Sequence, residues 1–198
     1  MSNIVQATNM KKLTVIKQHI SILNRQTVDI ETKTLSFAKI LTDLVRKKKK
    51  LIIAGNGGSA ADAQHISTEL VVRMNYNRRA FPSIALTTDT SALTAIGNDF
   101  NFEKIFSRQI EAIGNPDDVF LAISTSGNSK NIISALKIAK KKKMICLGLL
   151  GNKGGKSSKF CDNVFIVDSD NPSRIQEIHI IFYHIMCSII ERSIKSKL

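Results

Sequence analysis

The stretch LIIAGNGGSAADAQHISTEL, residues 51–70, decides the fold. Leu51, Ile52, Ile53 and Ala54 form a short apolar run with β-branched members, which reads as a strand buried on both faces. Ala60, Ala61, Ala63, Ile66 and Leu70 then follow at helical spacing, and Ser59 is placed to act as a helix N-cap. Between the two lies a glycine turn. The order strand, tight turn, helix aims backbone N–H groups at whatever sits above the strand end, which is an anion-binding arrangement. The turn is neither a Walker loop, since no Gly-Lys-Ser/Thr follows, nor a GxGxxG fingerprint. Glycines in such a turn also serve conformation alone.

His65 and Glu69 stand four residues apart and so share one face of that helix. An imidazole and a carboxylate at this spacing suit a borderline cation such as zinc. The same spacing describes a plain surface His–Glu pair, and the rest of the chain has to decide between them.

A second strand end repeats the theme. The run 119–123 (VFLAI) leads into Ser124-Thr125-Ser126-Gly127-Asn128-Ser129, and Ile132, Ile133, Leu136 and Ala139 continue as a helix. One serine suffices to cap a helix. Four hydroxyls at a helix start match the oxygens of a phosphate.

Working outward, strands are expected at 51–54, 83–86, 119–124, 144–149 and 163–167, with helices at 59–74, 90–97, 102–113, 129–141 and 173–196. This alternation predicts an α/β fold: a doubly wound parallel sheet flanked by helices, with ligands bound beyond the carboxyl ends of the strands. Residues 151–158 read as a surface loop. Ahead of the sheet, Leu13, Ile16, Ile20, Leu23, Thr27, Ile30, Thr34, Phe37, Leu41 and Leu44 form a heptad seam, so helices over about 9–46 are expected to serve mainly in packing against other copies of the chain. Two ordinary helices broken near residues 29–31 fit the same pattern.

A chain of 198 residues with 43% hydrophobic composition is read as one domain, 1–198, with a core of its own. No apolar run reaches the ~18 residues of a membrane span, and the first residues carry no signal-peptide core, so a cytoplasmic location without membrane attachment is expected. Three cysteines without CxxC spacing read as free thiols. The net charge of +13 draws on lysine runs at 46–50 and 140–143, each at the expected end of a helix, where cations complement the dipole. Without aromatic interleaving, nucleic acid is not an expected partner.

The motifs GNGGSAADAQH, LTAIGNDF, ISTSGNS and RIQEIHI together resemble the sugar isomerase (SIS) family, and most closely its branch acting on sedoheptulose 7-phosphate. The resemblance covers nearly the whole chain. ISTSGNS alone is generic to SIS domains; the glycine turn with His65 and Glu69, the pair Asn98-Asp99, and Gln176 with His184 are more specific. The resemblance implies that Asn56, Gly57, Gly58, Asn98 and Asp99 contact the sugar, together with Glu69 and Gln176, and that Ser124, Thr125, Ser126 and Ser129 hold the phosphate. It implies one Zn2+ per subunit on His65, Glu69, Gln176 and His184, Glu69 and His184 as the catalytic acid–base pair, and a homotetramer.

The chemistry so implied is coherent. Interconverting a ketose and an aldose moves a proton between adjacent carbons through an enediol, which calls for a base, an acid for the oxygens and a group that stabilises the oxyanion. Glu69 as base and His184 as acid would meet that need. Gln176 and His184 are eight residues apart on one helix, roughly 12 Å and about 80°, which argues for sites shared between subunits. The product, D-glycero-D-manno-heptose 7-phosphate, would feed activated heptose for lipopolysaccharide or capsule. The competing reading is a non-catalytic SIS protein that binds a replication-initiator partner; the complete set His65, Glu69, Gln176 and His184 speaks against it.

Overall fold

The structure is a computed structural model that describes residues 2–195, with side chains described over 14–194. Helix α1 (Ser2–Arg46) is followed by β1 (Leu51–Ala54), α2 (Gly58–Val71), β2 (Ser83–Ala85), α3 (Thr90–Asp99), α4 (Ser107–Ile113), β3 (Val119–Ser124), α5 (Lys130–Lys141), β4 (Ile145–Gly151), β5 (Asn163–Val167) and α6 (Pro172–Lys195). The five strands are all parallel, in the order β2-β1-β3-β4-β5. Chain order reverses between β1 and β3, so the crevice above their carboxyl ends is where a doubly wound sheet binds ligands.

The apolar runs become strands because both sheet faces are covered. Leu51, Ile53, Leu121, Leu147 and Phe165 point into a core shared with α1, α2 and α6. Ile52, Phe120, Ala122 and Cys146 point the other way, into a core shared with α4 and α5. In the first core Phe165 stacks on Phe182 at 4.4 Å and Phe37 meets Phe182 edge-on at 5.2 Å. These contacts join β5, α1 and α6, and each ring contributes roughly 1.5–3 kcal/mol of burial.

Helix α1 is continuous, with no break at 29–31. It holds neither glycine nor proline to cause one. Its seam divides. Ile30, Thr34, Phe37, Leu41 and Leu44 are buried in the chain's own core, and Thr34 satisfies its hydroxyl on the Ile30 carbonyl. Ile16 and Ile20 are 58% and 49% exposed. The second half of the seam therefore enters the chain's own core, while Ile16 and Ile20 stay on the surface; Leu13 lies outside the described side chains.

Other boundaries shift for local reasons. The expected helix 102–113 splits into a 3-10 turn, Phe102–Lys104, and α4, since the chain turns to bury both Ile105 and Phe106. Helix α2 stops at Val71 and not at 74: the Val72 N–H still bonds the Thr68 carbonyl, and from Met74 to Tyr76 the N–H groups go to Glu191 of α6. At the far edge, the Gln26 amide donates to the Ile166 carbonyl and accepts from the Asp168 N–H, both at 2.9 Å, and so covers β5.

Candidate active site

The site grows from the two turns at the switch point. The helix after β1 begins at Gly58 with Gly57 as N-cap, at φ 56 and ψ −122. That φ lies in the region glycine reaches without cost. Ser59 is already inside the helix and buried, so it is not the cap expected of it. After β3, Ser129 is the N-cap of α5, yet its hydroxyl pairs with Ser124 at 3.2 Å instead of capping. Neither α2 nor α5 has a side-chain cap; α3, by contrast, is capped by Asp89 on the Ala92 N–H. Two uncapped helix starts therefore flank one crevice, each with N–H groups and a positive dipole end to offer an anion.

A reciprocal amide pair ties the two turns together. Asn56 and Asn131 exchange hydrogen bonds of 2.9 and 2.8 Å. Both line a crevice of about 580 Å³ with Ser129, Asn101, Phe102 and Glu103. Asn131 was not picked out in the sequence, where it is one polar residue inside a polar turn. Loop 151–158 is not a free surface loop: the Ser157 N–H bonds the Gly127 carbonyl at 2.8 Å, and the Lys156 N–H bonds the Asn128 side chain at 3.0 Å. A Cβ on Gly127, which sits at φ 63, would collide with the Gly154 carbonyl. The loop buttresses the serine turn from behind. Within that turn Ser126 accepts from the Asn128 N–H, and Thr125 is partly exposed.

On the α2 face, His65 Nε2 lies 3.1 Å from Glu69 Oε1 and 3.4 Å from His184 Nε2. Ligating atoms of the three residues fall within 4.8 Å of one another. Donors about 2.0–2.1 Å from a tetrahedral zinc stand about 3.3–3.4 Å apart, which the His65–Glu69 and His65–His184 separations match. The spacing of Gln176 and His184 argued for a shared site, but one chain supplies His65, Glu69 and His184 together, and these three need no second copy. Gln176 packs against Gly58, where a Cβ would come within 2.6 Å of its amide. Gly58 is about two turns back along α2 from His65. Asn98 donates to Asp99 at 2.9 Å; both are exposed, and Asp99 lines an apolar groove beside Phe100 and Arg108 and not the crevice.

Burial, helped by His65, holds the His184 pKa below its ordinary value against the pull of Glu69. Behind the cluster, burial raises Asp62 to about 6, with His65 and the Tyr183 hydroxyl opposing. Asp62 is only 6% exposed, which decides against a solvated role. Tyr183, an aromatic in an apolar stripe, gave no sign in the sequence that its hydroxyl would reach His65 at 3.0 Å. Of the remaining histidines, His19 is not a plain surface residue, since it pairs with Glu177 at 2.8 Å. His179 is wholly buried on the Leu150 carbonyl, a structural role, and burial lowers it to about 4.

A parallel five-stranded sheet with these two turns defines a class, and the family model described as SIS domain matches residues 16–151. The phosphoheptose isomerase of Sulfurimonas denitrificans is 50% identical over 185 residues, covering 93% of each chain. Among solved structures, a phosphoheptose isomerase from Francisella tularensis superposes with a TM-score of 0.90 at 33% identity, over 93% of this chain and 98% of that one. The phosphoheptose isomerase of Neisseria gonorrhoeae gives 0.88 at 37%, over 93% and 99%. The chain belongs to the SIS domain family and, within it, to the phosphoheptose isomerases, and is an enzyme of the isomerase class.

Proposed function

We propose that the protein converts sedoheptulose 7-phosphate to D-glycero-D-manno-heptose 7-phosphate through an enediol. The observation that carries this reading is the pairing of two uncapped helix starts with a His–Glu–His cluster in one chain. The N-terminus of α5, with Ser124, Thr125, Ser126 and Ser129, holds the phosphate. Asn56, Gly57, Gly58 and Gln176 hold the sugar, with Asn98 and Asp99 joining from a neighbouring copy, since Asp99 of the same chain lines the groove and not the crevice. The Asn56–Asn131 pair keeps the two turns at fixed separation.

Glu69 has two oxygens. Oε1 faces His65, and Oε2 is left to take the proton from carbon. His184, kept neutral at neutral pH by its lowered pKa, hydrogen-bonds the enediol oxygens and passes the proton between them. His65, Glu69 and His184, with Gln176, would hold one Zn2+ per subunit, which supplies Lewis-acid stabilisation of the developing oxyanion.

The assembly proposed is a homotetramer with sites at subunit interfaces. It is supported by apolar surface that one chain leaves bare: Ile16 and Ile20 of α1, and α3, which has no buried residue and borders a groove of about 440 Å³ lined by Ile84, Ile96, Phe100 and Ile113. No described helix is long and apolar enough to cross a membrane. The proposed setting is the cytoplasm, upstream of activated heptose for lipopolysaccharide or capsule.

The test follows sedoheptulose 7-phosphate by NMR with purified protein, a chelator and zinc add-back. The expected result is aldoheptose 7-phosphate, lost on chelation and restored by zinc. No conversion by folded, zinc-loaded protein would overturn the reading.

A further inference from the structure

Two side-chain amides that exchange hydrogen bonds leave their own orientation open. Turn both over, and every oxygen again meets an N–H. Asn56 and Asn131 are such a pair: Asn56 Nδ2 donates to Asn131 Oδ1 at 2.9 Å, and Asn131 Nδ2 donates to Asn56 Oδ1 at 2.8 Å. A third bond removes the ambiguity. The Ile132 backbone N–H, in the first turn of α5, donates to Asn131 Oδ1 at 2.9 Å. Ile132 is wholly buried and Asn131 is 2% exposed. Turning the pair over would set that N–H against an NH2 group with no solvent to relieve it.

The order of these bonds fixes what Asn56 has left to offer. Asn131 Oδ1 spends both lone pairs, one on Ile132 and one on Asn56. Asn56 spends one of its two N–H groups and one of its two lone pairs on Asn131. One N–H and one lone pair remain, on a half-buried side chain in the wall of the crevice. A sugar hydroxyl both donates and accepts, so each remaining group can meet one. An untethered asparagine would interchange the two by turning its last torsion, which is nearly two-fold.

We propose that Asn131 is a positioning residue for the sugar: held by the Ile132 N–H, it locks the Asn56 amide in one orientation, so that Asn56 presents one N–H and one lone pair to sugar hydroxyls at set places. This is more than a spacer between the two turns, since it decides which atom faces which. The proposal rests on the reading above that Asn56 contacts the sugar.

Two readouts test it. Neutron diffraction from the ligand-free protein distinguishes nitrogen from oxygen and shows amide deuterons. It needs no variant, so it decides the orientation even where Asn131→Ala does not fold. Asn131 Oδ1 is expected against the Ile132 N–D, and Asn131 Nδ2 against Asn56 Oδ1; the reverse assignment would overturn the proposal. With sedoheptulose 7-phosphate, kcat/KM should fall about 10–100-fold in Asn131→Ala, the scale of a misplaced contact. Inhibition by inorganic phosphate should be unchanged, because the serine turn keeps its hydroxyls. In an Asn56→Ala background, Asn131→Ala should cost nothing further, since residues that act through one another are not additive. Losses that multiply would overturn the proposal, because Asn131 then acts without Asn56. So would a phosphate constant that worsens as much as kcat/KM, because Asn131 then acts by holding the serine turn. Wild-type protein with the expected deuterons but no conversion would overturn the reaction assigned above and leave the amide orientation standing.

Discussion

Two polar clusters tie α2 to α6, and they are built to opposite ends. Near the end of the helices, Glu191 is 1% exposed and accepts from three backbone N–H groups and from Arg78 Nε. Arg78 in turn donates to the Glu69 and Leu70 carbonyls. Every charge there is answered by the chain itself. Two turns earlier, His65 is 44% exposed at the side chain, and its Nε2 stands 3.1 Å from Glu69 Oε1 and 3.4 Å from His184 Nε2. The first cluster is buried and closed by its own backbone and Arg78, while the second is open to solvent and gathers three groups that could hold a metal ion. The difference teaches that a buried, internally satisfied polar cluster fixes the fold, while an exposed gathering of ligating side chains on the same helix pair is placed to meet a ligand.

Four experiments would break or sharpen that contrast. The largest effect is expected for Glu69→Gln: kcat should fall about 10²–10⁴-fold while thermal stability stays within about 0.5 kcal/mol. A Glu69→Gln protein with full turnover would end its assignment as base. Glu191→Ala should show the reverse, losing about 3–5 kcal/mol in denaturant unfolding because Arg78 is left buried and unpaired, with turnover per folded molecule retained. Next, saturating zinc at about 100 times its dissociation constant should stabilise the wild type by ~2.7 kcal/mol and Glu69→Gln by much less, read as shifts in Tm.

The smallest effects are in pH dependence. His179 is lowered to about 4 in the folded state, so the unfolded chain binds more protons between its ordinary value near 6.5 and about 4. Stability is full above that window and falls as pH drops through it. Asp62, raised to about 6, has the opposite sign: the folded state binds more protons between about 4 and 6, and stability falls as pH rises through that range. Glu191, held below its ordinary value by its N–H donors and Arg78 against burial, adds a loss below about 4.5. Denaturant titrations across pH should show a steeper rise with pH in Asp62→Asn and a flatter one in His179→Gln; identical slopes in all three proteins would remove the assignment.

What the sequence shows and what it hides follow from distance along the chain. The turns 55–58 and 124–129 were legible because glycine, serine and helix-start signals are local. His65 and Glu69 were legible as a pair because a helix sets i,i+4 neighbours. The partnership of Tyr183 with His65 spans 118 residues, and that of Glu191 with Arg78 spans 113; neither leaves a local trace. Loop 151–158 was misread for the same reason, since its glycines answer to Gly127 and not to their own neighbours. The heptad seam was read correctly as apolar, but periodicity cannot say whose core it enters.

The Gln26 side chain has a consequence for how this sheet can grow. A carboxamide carries an N–H donor and a carbonyl acceptor side by side, as a peptide unit does, with one N–H to spare. Bonded to Ile166 and Asp168, it impersonates one link of a sixth strand, and the row of strands is terminated there by a chain stopper drawn from a helix. At the β2 end the Thr88 hydroxyl donates to the Ala85 carbonyl at 3.1 Å, but no described side chain both donates to and accepts from that strand, and Ile84 stands 41% exposed on it. The sheet therefore has a sealed end and a live one. Opening the sealed end, as Gln26→Ala would, turns a self-limiting array into one that can recruit strands from both directions.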